Sequence, residues 1–317
     1  MATVLITGAF GFVGSNLSAW LAAQGHRVLA LDVASRQSSS YAGFYTWDEL
    51  NRIDWDKLDA VIHLAGKAHD TRHTANAQAY MDVNLGLTRQ VFERFSASQA
   101  RIFVQFSSVK AVADRVPTGI LTEEAVPEPH TPYGHSKLAA ERYLQDAPLA
   151  AGRRLYVLRP CMIHGPGNKG NLNLLYGFVR RGLPYPLAAF HNRRSFTGVE
   201  NLCHAVDGLL RVAPPSGVYQ MADDEPVSTH ELMDLIAESL GRRPRSLRLD
   251  PGFVRWCARV GDCCHLPFNT ERLEKLTETY VVSNRKLRQA LGLAHFPVTA
   301  TKGLRRTLAA LHASQCM

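Results

Sequence analysis

The chain has 317 residues, 46% of them hydrophobic, enough for one large or two ordinary domains with a sizeable buried core. Its 6 cysteines form no C-x-x-C pair, so neither a zinc site nor a disulfide framework is indicated, and reduced thiols in a cytoplasmic protein are expected. No apolar run reaches the roughly 20 residues of a membrane span. The formal charge of +8 comes without a basic block interleaved with aromatics, which argues against nucleic acid and for a phosphorylated small molecule.

The N-terminus reads straight into a strand, "TVLIT", with no basic region or cleavage site ahead of it, so no signal peptide is expected. "GFVGSNLSAWLAAQG" follows as an amphipathic helix closed by Gly25, then "HRVLALD" and "DAVIHLAG" as strands. A helix at about 76–98 precedes the strand "RIFVQFSS"; the helix begun by "TPYGHSKLAAERYLQ" comes next, and "RLYVLRP" closes the series. Alternating strands and helices imply an α/β fold, a doubly wound parallel sheet covered on both faces. Beyond Pro160 the pattern changes to Gly-, Pro- and Asn-rich loops with helices near 172–181, 200–212, 228–240 and 299–313. Residues 1–165 are therefore expected to form a Rossmann domain, and 166–317 a smaller, mainly helical substrate lobe over the carboxyl edge of the sheet, with some chain returning to it.

The turn after the first strand reads Thr7-Gly8-Ala9-Phe10-Gly11-Phe12-Val13-Gly14. Gly8 permits a tight turn, Gly11 lets a pyrophosphate approach the backbone, and Gly14 lets helix and strand pack closely. Phe12 and Val13 open the helix whose N-terminus favours the anion. Asp32 closes the second strand about 20 residues on, the position of a ribose-binding carboxylate. That carboxylate would repel a 2′-phosphate, so NAD is favoured over NADP; Arg36, four residues later, is the contrary feature and reads as a solvated loop arginine.

T-G-x-x-G-x-x-G at the first strand, "HLAG" at 63–66, Asn84 in "VNLGLT", "FSSV" at 106–109, Y-x-x-x-K at 133–137 and "LRPCMIHGPG" at 158–167 resemble the extended short-chain dehydrogenase/reductases along nearly the whole chain. Within that group "NRRSFTGVENLCHAV" is similar to the nucleotide-sugar branch, the relatives of UDP-galactose 4-epimerase and of bacterial O-antigen sugar 4-ketoreductases. Thr131 and Pro132 suit the N-cap and first position of a helix, so Tyr133 and Lys137 share one face at its mouth. An ammonium and the positive helix end both favour the phenolate and are expected to lower the tyrosine pKa. The resemblance implies that Tyr133 exchanges the proton of a sugar carbinol, that Lys137 also holds the nicotinamide ribose, and that Ser108, rather than Ser107, orients the substrate oxygen. It further implies that Asn84 supports the lysine through backbone and water.

Leu64, Ala65 and Gly66 end a strand at the cofactor edge and are expected to wall the nicotinamide half, with His63 as packed structure. Arg194 and Asn171 stand where relatives hold the substrate diphosphate; Arg193 competes with Arg194, and a structural ion pair is the alternative use. His164 replaces a tyrosine common in relatives, and the altered loop after Ser108 puts Lys110 near the sugar pocket or in solvent. "FVRWCARVGDCCHLPF" reads as a lid or packing helix in preference to a membrane-surface helix carrying Trp256 and Arg259. Cys263 and Cys264 read as incidental, and no metal is called for.

The expected function is NAD-dependent 4-epimerisation of a UDP-sugar in polysaccharide synthesis. The alternative enzyme is a 4-ketoreductase of a UDP-4-keto-6-deoxy-hexosamine; the alternative outside enzymology is a regulatory NAD-binding protein, which would have no use for the hydroxyl, phenol and lysine together. A homodimer is compatible with the branch.

Overall fold

The computed structural model describes the chain apart from residues 34–37, 68–75, 117–118, 169–171, 265, 267 and 317, and apart from the side chains of 314–316. Six strands come first: β1 (Thr3–Thr7), β2 (Arg27–Asp32), β3 (Gly43–Thr46), β4 (Ala60–His63), β5 (Ile102–Phe106) and β6 (Arg154–Pro160). Then β7 (Met162–His164) pairs with β8 (Phe196–Gly198) in a small parallel sheet, and β9 (Gly217–Met221) returns to extend the main sheet beside β6. The main sheet is parallel throughout, in the order β3-β2-β1-β4-β5-β6-β9. Strand order reverses between β1 and β4, so the crevice at their carboxyl ends is the place where this topology receives a ligand.

The helices are α1 (Phe12–Ala23), α2 (Ala77–Met81), α3 (Leu87–Ala97), α4 (Pro132–Asp146), α5 (Leu172–Arg180), α6 (Val199–Val212), α7 (Thr229–Ser239), α8 (Pro251–Cys263), α9 (Thr270–Thr277), α10 (Arg285–Ala290) and α11 (Ala300–Cys316). A π-helical turn, Asp82–Gly86, joins α2 to α3, so the helix expected at 76–98 carries a local widening around Asn84. No described helix is long and apolar enough to cross a membrane.

Side chains alternate across β1 with the strand period of two: Val4 and Ile6 join Leu17 and Leu21 of α1 and Leu202, Val206 and Leu209 of α6 in one buried layer. Leu5 points the other way, into a layer with Val91 and Phe95 of α3 and Leu144 of α4. Both faces are thus closed, which is why β1 is apolar without interruption. The chain beyond residue 165 contributes β9 to the sheet and α6 to one of its faces, and gathers a second apolar core from α5, α7, α8 and α11, including Leu172, Tyr176, Ile236, Val254 and Leu308.

Candidate active site

The glycine-rich turn has the shape a dinucleotide needs. Gly8 has φ +67°, and a Cβ there would lie 2.8 Å from the Ala65 amide nitrogen; one at Gly14 would lie 2.3 Å from the Gly8 carbonyl oxygen. Any larger residue would drive apart the turn, β4 and α1. Gly11 is the N-cap of α1, with no side-chain cap and no acidic residue in the first turn, so the helix-end N–H groups are left for an anion. Asp32 sits against the same turn: its carboxylate accepts the Phe10 N–H at 2.8 Å and the Val33 N–H at 2.7 Å. Its remaining lone pairs suit ribose hydroxyls. Arg36 lies outside the described residues.

Across the crevice, Thr7 organises the end of β4. Its Oγ1 accepts the Ala65 N–H at 3.1 Å and meets Nδ1 of His63 at 2.7 Å. Burial, helped by the Lys137 charge, pushes His63 down to about 3, so it stays neutral and packed, as expected. Gly66 leaves room where a Cβ would meet Asn84 Oδ1 at 2.7 Å and Lys137 Nζ at 3.1 Å. Gly66 therefore brings bare backbone against Asn84 and Lys137, while the Leu64 and Ala65 backbone lies against Gly8.

Thr131 caps α4 by accepting the Gly134 N–H at 3.1 Å, and Pro132 occupies the first position, as its sequence predicts. Tyr133, at the mouth of that helix, hydrogen bonds with Ser108 and meets the Tyr80 ring edge-on at 6.2 Å. Ser107 faces away, donating its hydroxyl to Glu141. Ser108, and not Ser107, is thus the serine beside Tyr133.

Lys137 is buried and donates from Nζ to the Phe106 carbonyl at 3.0 Å. Burial pushes it down to about 8, with Glu141 opposing the shift. Tyr133 departs from the expected direction. Desolvation raises its pKa above the ordinary phenol value, and the Ser108 hydrogen bond only partly offsets this. A phenolate in this part-buried position loses more hydration than the helix end restores, and the lysine is itself weakened as a cation.

Asn84 holds the loop after β4: Oδ1 accepts the Lys67 N–H at 2.9 Å, while Nδ2 donates to the Lys67 carbonyl at 3.2 Å and to Ser136 Oγ at 2.9 Å. The π-helical turn around it is a feature often found at functional positions.

Arg194 is pinned by its own neighbours. Its guanidinium donates to the Lys275 carbonyl at 2.5 Å and lies 3.4 Å from Glu278. It is still close enough to Lys110, in the loop after Ser108, to lower the lysine pKa, although burial contributes more. Arg193 is exposed. Lys110 is neither free in solvent nor unengaged: it donates to the Asp114 carbonyl at 2.7 Å and sits 4.8 Å from the Tyr280 ring centre. His164 is built into the interior, bonding Thr307 of α11 at 2.9 Å and lying 3.4 Å from Asp223, so its replacement of a tyrosine changes packing. Asn171 lies outside the described residues.

Sequence reasoning missed Thr7, Tyr80, Ser136 and the buried Glu141–Arg159 pair, whose Arg159 Nε lies 3.0 and 3.1 Å from the two carboxylate oxygens. For Glu141 a signal existed, since Tyr133, Lys137 and Glu141 follow at four-residue steps on one helix face.

A glycine-rich turn at the reversal of a parallel sheet, facing a serine, tyrosine and lysine in the same crevice, defines an extended short-chain dehydrogenase/reductase. The chain belongs to the NAD dependent epimerase/dehydratase family, whose model matches residues 4–222. It is 24% identical over 315 residues to UDP-glucose 4-epimerase of Vibrio cholerae, covering 96% of this chain and 94% of that one. It is 28% identical over 246 residues to GDP-6-deoxy-D-mannose reductase of Pseudomonas aeruginosa, covering 74% and 79%. The crystal structure of a putative epimerase from Burkholderia cenocepacia J2315 shares the fold with a TM-score of 0.77 at 22% identity, over 98% of both chains.

Proposed function

We propose that the protein is an NAD-dependent nucleotide-sugar 4-epimerase that transiently oxidises C4 of a UDP-sugar. The observation that carries this is the Ser108–Tyr133 hydrogen bond at the mouth of α4, one turn from Lys137. Ser108 and Tyr133 together present one hydroxyl to orient a sugar oxygen and one to exchange its proton. NAD, when bound, would supply the acceptor and then the donor of the C4 hydride. Gly8, Gly11, Phe12, Val13 and Gly14 would cradle its pyrophosphate, and Asp32 would accept its adenosine ribose hydroxyls. Leu64, Ala65, Gly66 and Asn84 would bound the nicotinamide half, with Lys137 reaching its ribose. Arg194, and Asn171 by its sequence position, would hold the substrate diphosphate, so that binding energy at the unreactive end retains the keto-sugar while it turns over.

The second reading is reduction of a UDP-4-keto-6-deoxy-hexosamine. It draws on the similarity to the Pseudomonas reductase and on the raised pKa of Tyr133, which keeps the phenol protonated and ready to donate to a ketone. Incubation with UDP-hexoses and UDP-N-acetylhexosamines without reductant, followed by product analysis, separates the two. C4 epimers support the first. Consumption of reduced cofactor on a 4-keto-6-deoxy nucleotide sugar, with no epimer from any hexose, supports the second.

A further inference from the structure

We infer that α8 and the segment before it form a docking face for an anionic lipid bilayer. The helix is two-sided. Val254, Ala258 and Gly261, at i, i+4 and i+7, are buried, and Gly261 is pressed so close to the Phe268 backbone that a Cβ there would overlap the Phe268 carbonyl. That face accounts for the packing role expected from the sequence. The opposite face carries large apolar groups where a helix packed on one side should be polar: Phe253 is 53% exposed, Trp256 60%, Val260 36%, and Leu266 just beyond the helix 51%. The Phe253 and Trp256 rings stack with centroids 6.1 Å apart, making one continuous apolar plate.

The same stretch of chain is rich in cations. Arg255 and Arg259 are exposed on the same helix, Arg255 with its guanidinium over the Phe190 ring, and the exposed run 241–248 adds four more arginines, of which Arg242 donates to the Val179 and Arg180 carbonyls, and the half-exposed Leu247. Residues 241–266 hold six arginines against two aspartates. Both aspartates are engaged, Asp250 capping α8 through the Phe253 N–H and Asp262 bonding Thr270. A second copy seated on this face would set arginines against arginines. An anionic bilayer would neutralise them and admit tryptophan and phenylalanine at the headgroup boundary, where such rings settle. At 13 residues α8 is too short to span and would lie in the plane of the surface.

The test is flotation of the purified full chain with vesicles of equal parts phosphatidylglycerol and phosphatidylcholine, against phosphatidylcholine alone. The chain should float with the anionic vesicles only, and less well as salt rises. Phe253→Ser with Trp256→Ser should abolish flotation. Arg255→Gln with Arg259→Gln should weaken it on the order of twentyfold, since each arginine near such a surface contributes about fivefold. Trp256→Phe guards against a misfolded variant: it should float, while losing the quenching by brominated lipid that the parent shows. Failure of the parent to float, undiminished flotation of the serine pair, or equal quenching in Trp256→Phe would overturn the proposal. So would concentration-dependent self-association that the serine pair removes, in a parent that does not float.

Discussion

Glu141 and Arg159 form a buried, two-pronged ion pair one helical turn beyond Lys137, with Arg159 Nε 3.0 and 3.1 Å from the carboxylate oxygens and Nη2 2.5 Å from Oε2. Glu141 also accepts the Ser107 hydroxyl, so one carboxylate ties α4 to β6 and to the end of β5. The helix bearing Tyr133 and Lys137 is thereby fixed to the strands beneath it. Arg159→Met leaves a buried carboxylate unpaired and should cost about 3–5 kcal/mol in denaturant unfolding. Combining it with Glu141→Leu should recover most of that loss, because no charge is then stranded.

Lys137 supplies a prediction in pH. Its folded pKa, pushed down to about 8 from 10.5, means that the unfolded chain holds more protons between those values. The wild-type stability contributed by this group therefore rises with pH across that window and is lowest at neutral pH. Lys137→Met removes the buried charge and should be more stable than wild type at pH 7 by up to about 3 kcal/mol. The advantage should shrink progressively from pH 8 to 10.5. A stability difference that stays flat with pH contradicts the assigned shift.

Tyr133→Phe keeps the ring against Tyr80 while removing the proton-exchanging group and the bond to Ser108. Turnover should fall by about 10²-fold or more, with cofactor binding unchanged. Ser108→Ala should produce a smaller loss in the same direction. Near-normal turnover of Tyr133→Phe on a nucleotide sugar would remove Tyr133 from the proposed chemistry.

Asp32 holds its carboxylate at the glycine-rich turn through the Phe10 N–H. NAD(H) should bind more tightly than NADP(H), and Asp32→Ala should narrow the gap by losing both the ribose acceptor and the repulsion of a 2′-phosphate. Titration of both dinucleotides against the two proteins measures this; equal affinities in the wild type contradict it.

The sheet and the turn were legible because they depend on local rules. Val4, Leu5 and Ile6 are apolar on both faces, as a central parallel strand requires, and Gly8 and Gly14 stand where a Cβ cannot fit. The N-cap of α4 was legible in Thr131 and Pro132 for the same reason. The direction of the Tyr133 shift was not, since it depends on how much water the folded cleft leaves around the phenol, a property of packing between distant segments. The contact of Lys110 with Tyr280, and of His164 with Thr307, likewise involves partners far away in sequence, 143 residues in the second case. Short strands such as β7 and β8, of three residues each, carry too little periodicity to announce themselves.

The central claim is that hydride leaves and returns to sugar C4 while the keto-sugar stays bound. It is tested most directly with UDP-galactose and UDP-glucose, and their N-acetylated counterparts, deuterated at C4 and incubated with NAD and no reductant. The account predicts C4 epimers that retain deuterium at C4, formed more slowly than from the protonated sugars, with no net accumulation of NADH. Absence of epimers from every sugar, or epimers whose C4 deuterium has been replaced from solvent, would contradict it.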